Sequence, residues 1–216
     1  MTGQRSAARA RVYGLLARVF QHPKGGGFDA LRREGFSVLR AALAQLGARP
    51  ELVEPAEQLV AGLASASAEE LAREYEGSFE PSGGQARPPN ETAHAPETPQ
   101  ESMTRTFQLA DIAGFYRAFG VEVTPGSERV DHIAAELEFM HLLAVKQALA
   151  EDRGESENAA ICRDASAAFL RDHLGRWCPR FGAQLEDAAH GGVYRAAGAV
   201  LGRFVELELA SASDNS

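Results

Sequence analysis

The chain has 216 residues, 44% of them hydrophobic, which is enough to bury a core without help from a disulfide or a metal. Its two cysteines, Cys162 and Cys178, have neither Cys-x-x-Cys nor zinc-finger spacing, which argues against a disulfide framework or a structural zinc and fits a reducing compartment. The formal charge of −8 is uneven, because residues 1–49 hold nine Lys or Arg against two Asp or Glu, leaving 13 against 28 in the remainder. An acidic body of that kind disfavours nucleic acid and suits a cationic partner such as a basic peptide, the plainer alternative being a solubilising surface.

Arg5, Arg9 and Arg11 open the chain, but the apolar stretch after them is broken by Arg18, His22 and Pro23, so no secretory signal is expected. No apolar run approaches the roughly 20 residues of a bilayer span, and the expectation is a soluble, cytoplasmic protein. Val12, Leu15, Leu16, Val19 and Phe20 recur at helical spacing and predict a first helix that stops at His22-Pro23 and the Lys24 to Gly27 turn. Further faces follow in Phe28, Leu31, Leu39, Leu43 and Leu46, then in Leu52, Leu59, Val60 and Leu63, divided by Gly47 and Pro50. Ser67 and Glu70 form a predicted capping box before a short helix carrying Leu71 and Tyr75.

Residues 80–102 carry Pro81, Gly83, Gly84, Pro88, Pro89, Pro96 and Pro99, which predict a long ordered or partly ordered loop, of the kind that is either functional or disordered. Helical spacing resumes with Phe107, Ile112, Phe115, Tyr116 and Phe119, breaks at residues 120–126 and continues from Ser127 to about Glu151. Three more helices are expected over about 156–174, 176–190 and 193–209, with a frayed tail at 211–216. The prediction is an all-α, single-domain globule spanning 1–216, with roughly eight to ten helices.

The densest polar group lies between Ser127 and His141. On one continuous helix Glu128, His132 and Glu136 stack at i, i+4 and i+8 with Asp131 beside them, predicting an exposed carboxylate ridge that could dock a guanidinium. The plainer reading is that these acids complement a helix N-terminus. Glu138 and His141 also match the Glu-x-x-His spacing of a helical metal pair, and Asp187 with His190 is a loose second copy. A di-iron site needs two true copies and two further carboxylates, so no metal or other cofactor is expected. Phosphate-loop, dinucleotide-loop and Gly-x-Ser-x-Gly motifs are absent, and the cysteines have no flanking base, so nothing reads as a catalytic nucleophile.

Several motifs in order resemble the TorD/DmsD/NarJ family of molybdoenzyme maturation chaperones, over roughly residues 70–209. Tyr75-x-x-x-Phe79 followed by Pro88-Pro89-Asn90-Glu91-Thr92 resembles the family's aromatic helix and Pro-rich loop, and Ala110 to Val121 resembles the next helix. Asp131-His132 with Glu136-Leu137 is similar to the family's Asp-His-x-x-x-Glu-Leu block, and Phe169-Leu170-x-x-His173-Leu174-x-x-Trp177-x-Pro179-x-Phe181 to its late helix pair. One departure is that Arg129 and Val130, rather than a proline, precede Asp131.

The resemblance implies a chaperone, not an enzyme. It would bind the N-terminal leader, of twin-arginine type, of a molybdenum-containing oxidoreductase subunit until cofactor insertion is complete and export can begin. The client would belong to the dimethyl-sulfoxide-reductase superfamily. The implied peptide-binding residues are Tyr75, Phe79, Pro89, Glu91, Thr92, Asp131, His132 and Glu136, in a monomer or a domain-swapped homodimer. The alternatives are a carboxylate/His metal enzyme using Glu136, Glu138 and His141, and a structural helical adaptor.

Overall fold

The computed structural model describes residues 2–23, 38–79, 87–95, 101–122, 128–187 and 192–213. The helices are α1 (Thr2–Val19), α2 (38–46), α3 (Pro50–Ser65), α4 (Ala68–Phe79), α5 (Glu101–Ala118), α6 (Ile133–Asp152), α7 (Ser156–Phe169), α8 (Gly175–Glu186) and α9 (Val193–Ser213). A 3₁₀ turn at Glu91–Ala93 lies between α4 and α5. Among the described residues there is no strand, only an isolated antiparallel bridge between Asn90 and His132, so the all-α expectation holds. No helix among them is long and apolar enough to cross a membrane.

Helix α1 forms as its spacing predicts: Val12, Leu15, Leu16, Val19 and Phe20 are all buried, and the helix ends before His22-Pro23. It runs antiparallel along α6, and polar side chains fix its register there. Ser6 Oγ donates to Glu151 at 2.8 Å, Arg9 to Gln147 at 3.2 Å, and the His141 ring nitrogen Nδ1 meets the Ala10 carbonyl at 2.7 Å. Arg9 also pairs with Glu208 of α9 at 2.6 Å, and the Tyr13 hydroxyl donates to the same carboxylate at 2.9 Å. Burying Glu208 is tolerable because two donors meet its charge.

The predicted capping box at α4 is present. Ser67 N–H donates to Glu70 at 2.8 Å and Glu70 N–H donates to Ser67 Oγ at 3.2 Å. Those bonds hold the Glu70 carboxyl below its usual range, since they favour its charged form.

Four expectations are revised. Residues 156–186 form one continuous helical path rather than two helices, because a π-turn at Leu170–Leu174 carries the chain into α8. The expected 80–102 loop ends earlier, because α5 already begins at Glu101; its 87–95 stretch is ordered as expected, and 80–86 and 96–100 lie outside the described residues. Helix α6 starts at Ile133, not Ser127, with His132 as its N-cap. Helix α9 continues to Ser213, into the segment expected to fray. The Lys24 to Gly27 turn falls outside the described residues.

Helices α8 and α9 touch backbone to backbone. A Cβ on Gly182 would stand 2.5 Å from the Gly198 carbonyl oxygen, and one on Gly198 would stand 2.5 Å from Leu185 Cβ. This crossing seats Trp177 and Phe181 in the core. Replacing Gly198 with Ala should therefore destabilise the protein by about 1–3 kcal/mol through overpacking. Thermal melting tests this: a drop of several degrees is expected, and an unchanged midpoint would show that the crossing can widen without cost.

Candidate functional site

Residues 89–92 lie against 131–133 and are stitched to them by backbone bonds on both sides. Glu91 N–H donates to the Asp131 carbonyl at 2.9 Å and Ile133 N–H donates to the Pro89 carbonyl at 2.8 Å. The Asp131 carboxylate, 0% exposed, fills the space between the two segments. Thr92 gives Oδ2 its backbone N–H at 3.2 Å and its hydroxyl at 2.7 Å, and the Asn90 amide donates to Oδ1 at 3.3 Å. From the solvent side Arg129 adds a fork, with Nε 3.0 Å from Oδ1 and Nη2 3.1 Å from Oδ2. Arg129 Nη2 also reaches Thr92 Oγ1 at 3.1 Å.

His132 caps α6, its Nδ1 accepting from Ala134 N–H at 3.2 Å. The ring proton therefore sits on Nε2, which faces Glu128 at 3.9 Å. Burial lowers the imidazole pKa, only partly offset by Glu128 and Asp131, so the neutral cap is the favoured form.

A second polar knot lies behind the first. Glu91 receives Gln108 at 3.3 Å and His173 Nδ1 at 3.1 Å, and the other His173 nitrogen stands 3.3 Å from Asp111. Glu136 is fully buried and accepts from Trp177 Nε1 at 3.3 Å. Burial first, then the Glu91 carboxylate, raise its pKa well above the usual range, so Glu136 is held neutral. His94 stacks on Trp177 with centroids 5.0 Å apart.

The predicted exposed ridge is therefore replaced by another arrangement. Because α6 begins after His132, Glu128 stays at the surface, Asp131 and His132 are buried ahead of the helix, and Glu136 turns into the core. Pro89, Glu91, Thr92, Asp131, His132 and Glu136 do gather in one region. Tyr75 and Phe79 stand instead in an aromatic core cluster with Phe20 and Tyr194, which Phe181 joins to Trp177. Asn90, Gln108, Arg129, His173 and Trp177 complete the network and were not selected from the sequence, although all but Gln108 stand in or beside the quoted motifs.

Beside this network is a groove of about 640 Å³. Its walls are Gly14, Ala17 and Arg18 of α1, Gln21 just beyond it, and Ala134, Ala135, Phe139 and Leu142 of α6, closed at one end by Tyr116, Val121 and Val130. Glu122, Glu128 and Glu138 add carboxylates to this lining. The residues of the metal-enzyme alternative diverge: Glu136 meets Trp177, Glu138 accepts from Gln21, and His141 is bound to Ala10. Among the described residues no three His, Cys, Asp or Glu side chains are placed to hold a metal, and His190 lies outside them.

Two outcomes test this geometry. Asp131→Asn leaves the Arg129 fork facing a neutral amide and costs the buried donors their anion. Melting should fall by an amount equivalent to at least about 2 kcal/mol, where an exposed ridge residue would leave it unchanged. Glu136→Gln replaces a neutral acid by a neutral amide that can keep the Trp177 bond. A folded-state pKa above the unfolded value of about 4.3 means that native stability is lost as pH rises from there through the folded pKa. The Gln variant lacks that loss, so it should match the parent near pH 4 and melt higher near pH 8. Parallel melting curves at every pH would contradict the neutral assignment.

The chain matches the nitrate reductase delta subunit family over residues 40–183. It is also 32% identical, over 185 residues covering 81% of this chain and 76% of the relative, to a perchlorate reductase assembly chaperone protein of Dechloromonas aromatica strain RCB. A family match of that extent and a relative of that similarity agree with the order of motifs. The chain thus belongs to the nitrate reductase delta subunit family, within the TorD/DmsD/NarJ-type molybdoenzyme assembly chaperones, and is a chaperone rather than an enzyme.

Proposed function

We propose that this chaperone holds the N-terminal leader of a molybdenum-containing oxidoreductase catalytic subunit in the groove between α1 and α6. It would do so in the cytoplasm until cofactor insertion and folding are complete. The observation that carries the reading is the groove's chemistry. Small and apolar side chains make its floor, and among the described lining residues three carboxylates, Glu122, Glu128 and Glu138, stand against the Arg18 guanidinium. An apolar segment flanked by basic residues complements that surface, as in helix-in-groove or extended-peptide recognition.

Two other hollows fit less well. The cleft between α2 and α3, about 760 Å³, is apolar but its Arg40 and Glu57 are already paired at 2.9 Å. The hollow beside Phe107, about 720 Å³, places Arg176 next to Asp111 and Asp172, and Asp172 is already bound by Arg171. Neither has the excess of carboxylates over cations that the described lining of the first groove has.

The relative's name ties it to perchlorate reductase. We extend from it only the class of client, a molybdenum-containing oxidoreductase, and from the motif resemblance the twin-arginine character of the leader. Asp131 and His132 serve the site by fixing the end of the groove: the flanking Glu128, Val130 and Ala134 all line it.

Ala135→Trp should fill the groove and abolish binding of a synthetic client leader, with melting unchanged, because Ala135 is only half-buried. Removing two rim charges, as in Glu122→Gln with Glu128→Gln, should weaken binding about three- to tenfold and flatten its salt dependence. Calorimetric titration at two salt concentrations reads both effects. Full-strength binding by the Trp variant would place the leader elsewhere.

A further inference from the structure

Asp131 is served by two sets of donors that differ in kind. The inner set, Thr92 N–H, Thr92 Oγ and the Asn90 amide, comes from the facing segment and is built into the fold. The outer set is one guanidinium, and Arg129 is 59% exposed although the carboxylate that it binds is 0% exposed. Arg129 stands in a turn ahead of α6, and the backbone there is held independently by His132 N–H on the Arg129 carbonyl at 2.9 Å. Swinging the Arg129 side chain into water would therefore break no backbone bond. It would leave a carboxylate still oriented by three donors and open on one edge to a planar, two-pronged cation. A carboxylate has about four lone-pair sites, so the inner donors do not exhaust it.

We propose that Arg129 is the internal occupant of a guanidinium subsite at Asp131, a residue that the motif resemblance already implies contacts the peptide, and that an arginine of the bound peptide displaces it. The subsite rests on the leader-binding reading and supplies its specificity. It selects arginine over lysine, because a side-on fork onto Oδ1 and Oδ2, with a further bond to Thr92 Oγ1, needs a planar donor array that an ammonium lacks. It also lowers apparent affinity. Only the fraction of molecules with Arg129 swung out is competent at this contact, so the chain's own arginine competes with the ligand's. Glu128 and Val130, the chain neighbours of Arg129, line the groove while Arg129 and Asp131 do not, so a peptide arginine would have to leave the groove past these two residues to reach the Asp131 edge.

The test uses the full chain and three synthetic peptides that share an apolar run of leucines and alanines. The run is preceded by two arginines, two lysines or two citrullines, citrulline being the neutral isostere of arginine. In Arg129→Ala the arginine peptide should bind about three- to tenfold tighter than in the parent, with the citrulline peptide unchanged and the lysine peptide gaining little. Arg129→Lys should give an intermediate gain and keeps the local charge should the Ala variant be unstable. Equal or weaker arginine-peptide binding in a variant whose melting shows it folded would overturn the subsite, and so would an equal gain for all three peptides. Failure of every peptide to bind the parent and both variants would instead overturn the groove reading on which the subsite rests.

Discussion

The architecture around the site depends on one buried carboxylate. Asp131 binds residues 90 and 92 of a segment some forty positions earlier in the chain. A carboxylate without partners in that position would cost several kcal/mol, and the Thr92 and Asn90 donors, with Arg129 on the solvent side, are what make the charge tolerable. That demand sets the register of the Asn90–His132 bridge and, through His132, the place where α6 begins. Because α6 begins there, its first turns put Ala134, Ala135 and Glu138 on the groove while Ile133, Glu136 and Leu137 face the core.

The second polar knot extends the same logic into the fold. Glu91 leaves the stitched segment to meet Gln108 and His173, tying α5 and the π-turn to it. A carboxyl beside that anion, in the core, can be kept only in its protonated form, which is the physical reason for a neutral Glu136. The π-turn brings His173 round to Glu91, and such turns tend to occur where a side chain must be re-aimed. Polar chemistry is thus concentrated behind one end of the groove. The other long network, Arg9 with Tyr13 and Glu208, secures α1 as the groove's opposite wall.

Local features of this fold are readable in the sequence. The stripe from Val12 to Phe20 and the Ser67/Glu70 capping box both arise from contacts within a few residues, and both are present as expected. The motifs also identify the family. Burial of the Asp-His block is not readable, because it comes from pairing with residues 89–92, far away in sequence. An Asp-His-x-x-x-Glu pattern looks the same whether the helix begins at Ser127 or Ile133, yet that shift turns Glu136 from a surface ridge into the core. Tyr75 and Phe79 show the same limit, since an aromatic pair at helical spacing suits a groove or a core equally, and only the packing against Phe20 and Tyr194 decides. Arg129 stands out in the sequence as a departure from the family pattern, but its partner becomes visible only in three dimensions.

The central claim, that α1 and α6 enclose the client leader, is tested most directly by photo-crosslinking. A leader peptide carrying a benzophenone within its apolar run would be irradiated with the intact protein, and the adducts would be mapped by mass spectrometry. Adducts confined to residues 14–21 and 134–142, lost when unlabelled leader is in excess, are the predicted result. Competable adducts on Leu39, Val53 or Val60 in the cleft between α2 and α3, with none on α1 or α6, would contradict it.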